Sequence, residues 1–263
     1  MFEEAGLDPE QPPKTLDELA EYADKLTKVG DNGEIEVLGF HPSLGNVSFR
    51  DYVLNRGNVF FDENSNPVVN SDANLETLEW YVDMTNKYGA KQVQSLEAAS
   101  KTTGIDPLLS GYVAMEVNVV DFYKKLSESD LNYGVALMPG LKEGENTTQG
   151  GSFDLEIFDH GDQAKIDAAW EFIKFMLSED SNSYWNKSIG QIPMNNKVLK
   201  EDWVSKSQST MEALNTLTAS NCHLVSQPKY LPDYSTIMNT NNPANFQAML
   251  CLFRVFLITG RNR

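Results

Sequence analysis

Short apolar runs alternate along this chain with longer stretches in which apolar side chains recur every third or fourth residue, and most of the longer stretches carry their own start and stop signals. Such an alternation of strand-like and helix-like segments restricts the fold to the α/β class with crossover connections. Pro12-Pro13 leads into Thr15-Leu16-Asp17-Glu18, a capping box in which the threonine oxygen accepts from a first-turn amide and Glu18 reaches back. Leu16, Leu19, Ala20, Ala23 and Leu26 then mark one helix face to about Lys28. The same signals predict a strand over Ile35 to Phe40, a helix from Phe49 to Asn55, and a long helix capped by Ser71 and closed at Lys87-Tyr88-Gly89. Further on they predict a buried strand over Val113 to Val117, a short helix from Asp121 to Leu126 and a covered strand over Tyr133 to Met138. A strand over Phe153 to Phe158, a strongly apolar helix from Ala164 to Leu177 and a helix from Asp180 to Ser188 stopped by Gly190 follow. Trp80, Trp170 and Trp185 fall on apolar helical faces and are expected as core anchors.

With 263 residues, 41% of them apolar, the chain can build one large or two small hydrophobic cores. Its 38 acidic against 21 basic residues give a net charge of −17, spread along the sequence, which disfavours nucleic acid and anionic lipid as partners. Two cysteines, Cys222 and Cys251, exclude a disulfide framework and a paired Cys-x-x-Cys site. The first residues, Met1-Phe2-Glu3-Glu4-Ala5-Gly6, have neither the basic start nor the apolar stretch of a signal peptide.

Catalytic motifs are missing. His41, His160 and His223 lie far apart without a His-Glu-x-x-His pair, and neither a Gly-x-Ser-x-Gly elbow, a Gly-x-Gly-x-x-Gly loop nor a Walker lysine loop occurs. No metal site or cofactor is implied. Acid pairs such as Asp159 with Asp162, or Glu143 with Glu145, suit a glycosidase in principle, but pairs of this kind arise by chance in so acidic a chain. The aromatics Phe49, Phe122, Tyr123, Phe153, Tyr230 and Tyr234 fall near element ends, where a flat ring can meet a ligand.

The order of segments resembles the extracellular solute-binding proteins of carbohydrate-type ABC importers, the group that includes maltose- and glycerol-phosphate-binding proteins. The resemblance rests on Glu4-Ala5-Gly6-Leu7-Asp8 followed by Pro12-Pro13-Lys14-Thr15-Leu16-Asp17-Glu18-Leu19, on Gly111-Tyr112-Val113-Ala114-Met115, and on Tyr133-Gly134-Val135-Ala136-Leu137-Met138-Pro139. Gly150-Gly151-Ser152, Ala168-Ala169-Trp170-Glu171-Phe172-Ile173-Lys174-Phe175-Met176 and Ile189-Gly190-Gln191-Ile192-Pro193-Met194 extend it. It implies a type II periplasmic-binding-protein-like fold, with two α/β lobes joined by crossing hinge segments and closing on ligand by hinge motion. The registration implies that most of the first lobe is missing: residues 1–149 would begin the second lobe, 150–194 would be the returning piece of the first, and 195–263 would close the second with an atypical apolar tail.

The resemblance implies a binder and not an enzyme, working outside the cytoplasmic membrane in the intact protein, with permease subunits as partners and a lipid anchor as a possibility. A sugar or oligosaccharide is the expected ligand, held by stacking and hydrogen bonds at Phe49, Asn118, Asp121, Phe122, Gly151, Ser152 and Tyr230. Two departures bear on that site. Where the family often carries Gly-x-Trp after the Ala-Met strand, this chain has Asn118-Val119-Val120-Asp121-Phe122, and Gln191 stands where the family's return motif has a tyrosine. A glycerol-phosphate or phosphodiester ligand, with Arg50 as the nearest cation, is the alternative within the family, and a glycoside hydrolase-like enzyme the alternative outside it.

Overall fold

A computed structural model describes residues 1–62, 64, 66–144, 147–150, 155–159, 161–219 and 221–224, with the backbone path alone for 99, 101, 147–150, 219 and 221–224. The chain divides into two compact units, one of Met1–Asn118, Ala136–Gln149 and Asn221–Arg263, the other of Val119–Val135 and Gly150–Ser220.

In the first unit, helix α1 (Leu16–Leu26) starts at Thr15, whose side chain accepts from the Glu18 amide. Glu18 reaches back one residue further than the capping box predicts, to the Lys14 amide at 2.7 Å. The α1 face of Leu16, Leu19, Ala23 and Leu26 is buried, as the periodicity predicts. Strands β1 (Lys28–Val29) and β2 (Ile35–Val37) pair antiparallel. Helix α2 (Phe49–Asn55) opens with a complete capping box, Ser48 and Asp51 serving each other's backbone amides, and α3 (Asp72–Lys87) opens on Ser71. Helix α4 (Ala90–Thr103) was not predicted from the sequence. It follows α3 after only Tyr88 and the positive-φ Gly89, so the stop signal and the next start coincide.

The main core gathers α1, α2 and α3: Phe40, Phe49, Tyr52, Phe60, Leu78, Tyr81 and Met84 pack together, with Trp80 against the Tyr52 ring. Gly39 lies so near α1 that a Cβ there would stand 1.9 Å from the Ala23 carbonyl oxygen. A smaller cluster of Leu38, Leu44, Val93 and Val113 sits beside α4.

The predicted strand over Val113 to Val117 is realised as isolated parallel bridges, Leu38 with Val113 and Gly45 with Val117. The backbone bonds are made, Leu38 N to Tyr112 O and Asn46 N to Val117 O among them, but no neighbour runs alongside long enough to form a ladder. Tyr133 to Met138 is likewise no strand. Its Met138 packs on the core, and Gly140 just beyond bridges Thr15. Of the strand expected over Phe153 to Phe158, residues 155–158 have no strand pairing and the rest lies outside the described residues. Strand β3 (Thr147–Gly150) pairs with β4 (Asn221–Leu224).

The second unit packs α5 (Phe122–Ser127) on α9 (Gln208–Ala219), with α6 (Gln163–Met176), α7 (Glu179–Ile189) and α8 (Asp202–Lys206) completing it. Phe122, Leu126, Val204, Thr210 and Ala213 are buried. The contact grouping places Val119–Val135 and 195–220 with the 150–194 stretch, a different division from the threefold scheme implied by the resemblance, which concerns the lobes of a larger protein. Helix α6 has the predicted extent, yet none of its 14 residues is buried. Trp170 and Trp185 are 53% and 51% exposed, which corrects their assignment as core anchors. Apolar residues lie round most of α6, and none of them is buried.

Candidate functional site

The capping box at Ser48 and Asp51 fixes where α2 begins, and the first residue after the cap, Phe49, turns inward. Its ring is 3% exposed and meets Tyr81 edge-on at 5.6 Å and Phe60 at 6.2 Å. The structure therefore places Phe49 in the core and not on the surface, because the buried face of α2 also carries Tyr52 and Val53. Phe122 is corrected in the same way: at 6% exposed it is part of the inner face of α5 with Leu126. Both rings lie near element ends as expected, but proximity to a helix start does not decide which way a side chain points. Arg50, next to Phe49 on α2, is half-buried.

Asn118 follows the bridged segment that packs Val117 on the core containing Phe49. It stays half-exposed, and its Nδ2 donates to Glu116 Oε1 at 2.7 Å. Glu116 was not singled out from the sequence, although a carboxylate inside the apolar run Val113-Ala114-Met115-Glu116-Val117 was a usable signal. Burial pushes its carboxyl up to about 7, and the neighbouring Asp106 adds to the rise against the opposing Asn118 hydrogen bond. Glu116 is thus a group that both donates and accepts near neutral pH.

Asp121 belongs to the other unit. It occupies the cap position of α5 but makes no capping bond; its Oδ1 accepts from Gln191 Nε2 at 2.8 Å. Gln191 comes directly after Gly190, the left-handed residue that ends α7. The remaining candidates, Gly151, Ser152 and Tyr230, lie outside the described residues.

What these side chains offer chemically is hydrogen bonding. Asn118, Asp121 and Gln191 are half-exposed amides and a carboxylate on ordered backbone. The described residues hold no group of three or more His, Cys, Asp or Glu able to bind a metal ion, and none of their helices is long and apolar enough to cross a membrane. His41, buried at 2% exposed between Ser43 Oγ at 2.8 Å and the Thr85 carbonyl, has a pKa lowered to about 4 and is a neutral core group.

The profile of the bacterial extracellular solute-binding proteins matches residues 1–213. The chain belongs to that family. Among curated relatives, the sn-glycerol-3-phosphate-binding periplasmic protein UgpB of Yersinia pseudotuberculosis is 25% identical over 209 residues, covering 73% of this chain and 44% of its own length. The UgpB of Escherichia coli K12 is 26% identical over 202 residues with the same coverage. The chain thus spans under half the length of these solute-binding relatives. Among solved structures, the mannobiose-bound protein CpMnBP1 superposes with a TM-score of 0.77 at 25% identity, over 94% of this chain and 62% of that one. UgpB of Mycobacterium tuberculosis in complex with glycerophosphocholine gives 0.62 at 14% identity, over 98% of this chain and 67% of that one, a likeness of fold alone. The fold is the type II fold of periplasmic solute-binding proteins, with little regular sheet among the described residues.

Proposed function

We propose that this chain belongs to the substrate-binding component of an ABC importer and captures a sugar or oligosaccharide without transforming it. The observation that carries the reading is the match over nearly the whole chain to a protein solved with mannobiose bound. Half-exposed hydrogen-bonding side chains in each unit, Asn118 in one and Asp121 in the other, support it, since a hydroxyl-rich ligand needs acceptors and donors more than a reactive group. On this reading 1–149 and 195–263 serve one lobe and 150–194 contributes to the other, the exposed flank of α6 being covered by polypeptide that the relatives possess in their greater length. The same reading puts the working protein outside the cytoplasmic membrane, docked to permease subunits, with lipid tethering as one means of retention.

Isothermal titration of the purified protein with mannobiose, mannotriose and maltotriose tests the assignment. A micromolar or tighter association with at least one is the expected result, and no heat from any of them contradicts it. Chromogenic glycosides should show no turnover.

The alternative within the family is a glycerol-phosphate ligand, favoured by the names of the curated relatives. It makes Arg50 the anion-binding cation. Under that reading Arg50→Ala abolishes association with sn-glycerol-3-phosphate; unchanged affinity removes it.

A further inference from the structure

The end of α7 is locked onto α5 by contacts that leave little freedom. Gly190 has φ 74°, and a Cβ there would stand 2.8 Å from Lys124 Cβ, so only glycine fits both the left-handed turn and the approach of the lysine stem. Lys124 Nζ donates to the Ser188 carbonyl and pairs with Glu128 at 3.6 Å, so this cation is already committed. The Gln191 amide N–H closes the turn on Asn186 O at 3.1 Å. What the lock positions is a side-chain pair, Gln191 Nε2 donating to Asp121 Oδ1 at 2.8 Å across 70 residues of sequence.

A carboxylate accepts only, so the bond fixes the orientation of the Gln191 amide: nitrogen toward Asp121, oxygen away. Asp121 Oδ2 and Gln191 Oε1 accept no hydrogen bond from the described residues, and neither is shut away from solvent. The pair therefore offers two adjacent acceptors, one amide hydrogen and a full negative charge. We infer that Asp121 and Gln191 form a specificity-determining pair that accepts the hydroxyl hydrogens of an uncharged ligand and repels phosphate. This rests on the solute-capture reading and deepens it, because it separates the two ligand classes carried by the relatives. A hydroxyl group satisfies the free acceptors, whereas a phosphate brought against Asp121 meets a like charge, and Lys124 three residues on is engaged with Ser188 and Glu128.

The test is calorimetric titration of the full 263-residue chain with mannobiose and with sn-glycerol-3-phosphate as the two probes. Asp121→Ala should weaken mannobiose by roughly ten- to a hundredfold, the range for a hydrogen bond to a charged group, and Gln191→Ala by about fivefold. Asp121→Asn is nearly isosteric and keeps an acceptor for Gln191, so it guards against misfolding. It should weaken mannobiose less than Asp121→Ala does and strengthen sn-glycerol-3-phosphate by about tenfold. Circular dichroism and thermal melting matching wild type establish that each variant folds. Mannobiose bound equally by wild type and all three variants overturns the inference while leaving solute capture intact. So does an Asp121→Asn variant with unaltered phosphate affinity. A wild-type chain that binds neither probe overturns both.

Discussion

Single residues in the core set terms that can be checked one at a time. Tyr52 has no exposed surface, and its hydroxyl meets no hydrogen-bond partner among the described residues, which burial alone makes costly. Its phenol is held protonated far above the usual range by the same burial. Tyr52→Phe should therefore leave stability unchanged or raise it by up to about 1 kcal/mol in urea denaturation, where a buried tyrosine with a satisfied hydroxyl would lose stability. Gly39→Ala places a methyl inside van der Waals range of the Ala23 carbonyl and should cost at least about 2 kcal/mol by the same measurement. His41 has a folded-state pKa of about 4 against an ordinary value of 6.5, so the unfolded chain binds its proton more tightly. Its contribution is complete above about pH 6.5 and lost as pH falls toward 4, at up to about 3 kcal/mol. Denaturation midpoints measured from pH 7 to 4 should fall more steeply for wild type than for His41→Gln, which cannot titrate.

At the scale of elements, local signals decided more than tertiary ones. The helices were legible where the sequence marks them, Thr15 before α1, Ser71 before α3 and Gly190 behind α7, while the structure adds Ser48, Asp162 and Ser178 as the caps of α2, α6 and α7. Ser48→Ala, which removes one half of a reciprocal cap, should cost about 1 kcal/mol. The strands were less legible, because Val113 to Val117 and Tyr133 to Met138 have strand composition while a strand exists only where a neighbour pairs with it. Apolar periodicity also failed to tell α3 from α6. Leu78 on α3 is fully enclosed, so Leu78→Ala should cost about 3 kcal/mol. Trp170→Ala on exposed α6 should change the stability of this chain by no more than about 0.5 kcal/mol, although Trp170 is the larger side chain. The candidate site shows the same division. Asn118 and Asp121 are half-exposed, whereas Phe49 and Phe122 point inward, since only packing decides the direction of a ring.

For the whole molecule, family membership is carried by residues 1–213 and the type II fold by the superposition on the mannobiose-bound relative. The net charge of −17 disfavours anionic polymers as partners, and the inferred role of Asp121 would extend the same preference to the ligand. The Asp121–Gln191 bond joins residues 70 apart in sequence and was invisible until the chain was folded, whereas the Asn118–Glu116 bond is local. The central claim is that this chain captures a neutral, hydroxyl-rich solute. Titration of the purified protein with mannobiose, mannotriose and maltotriose in one calorimetric series tests it most directly. The account predicts saturable micromolar or tighter binding of at least one of them, and the absence of binding heat across the series would contradict it.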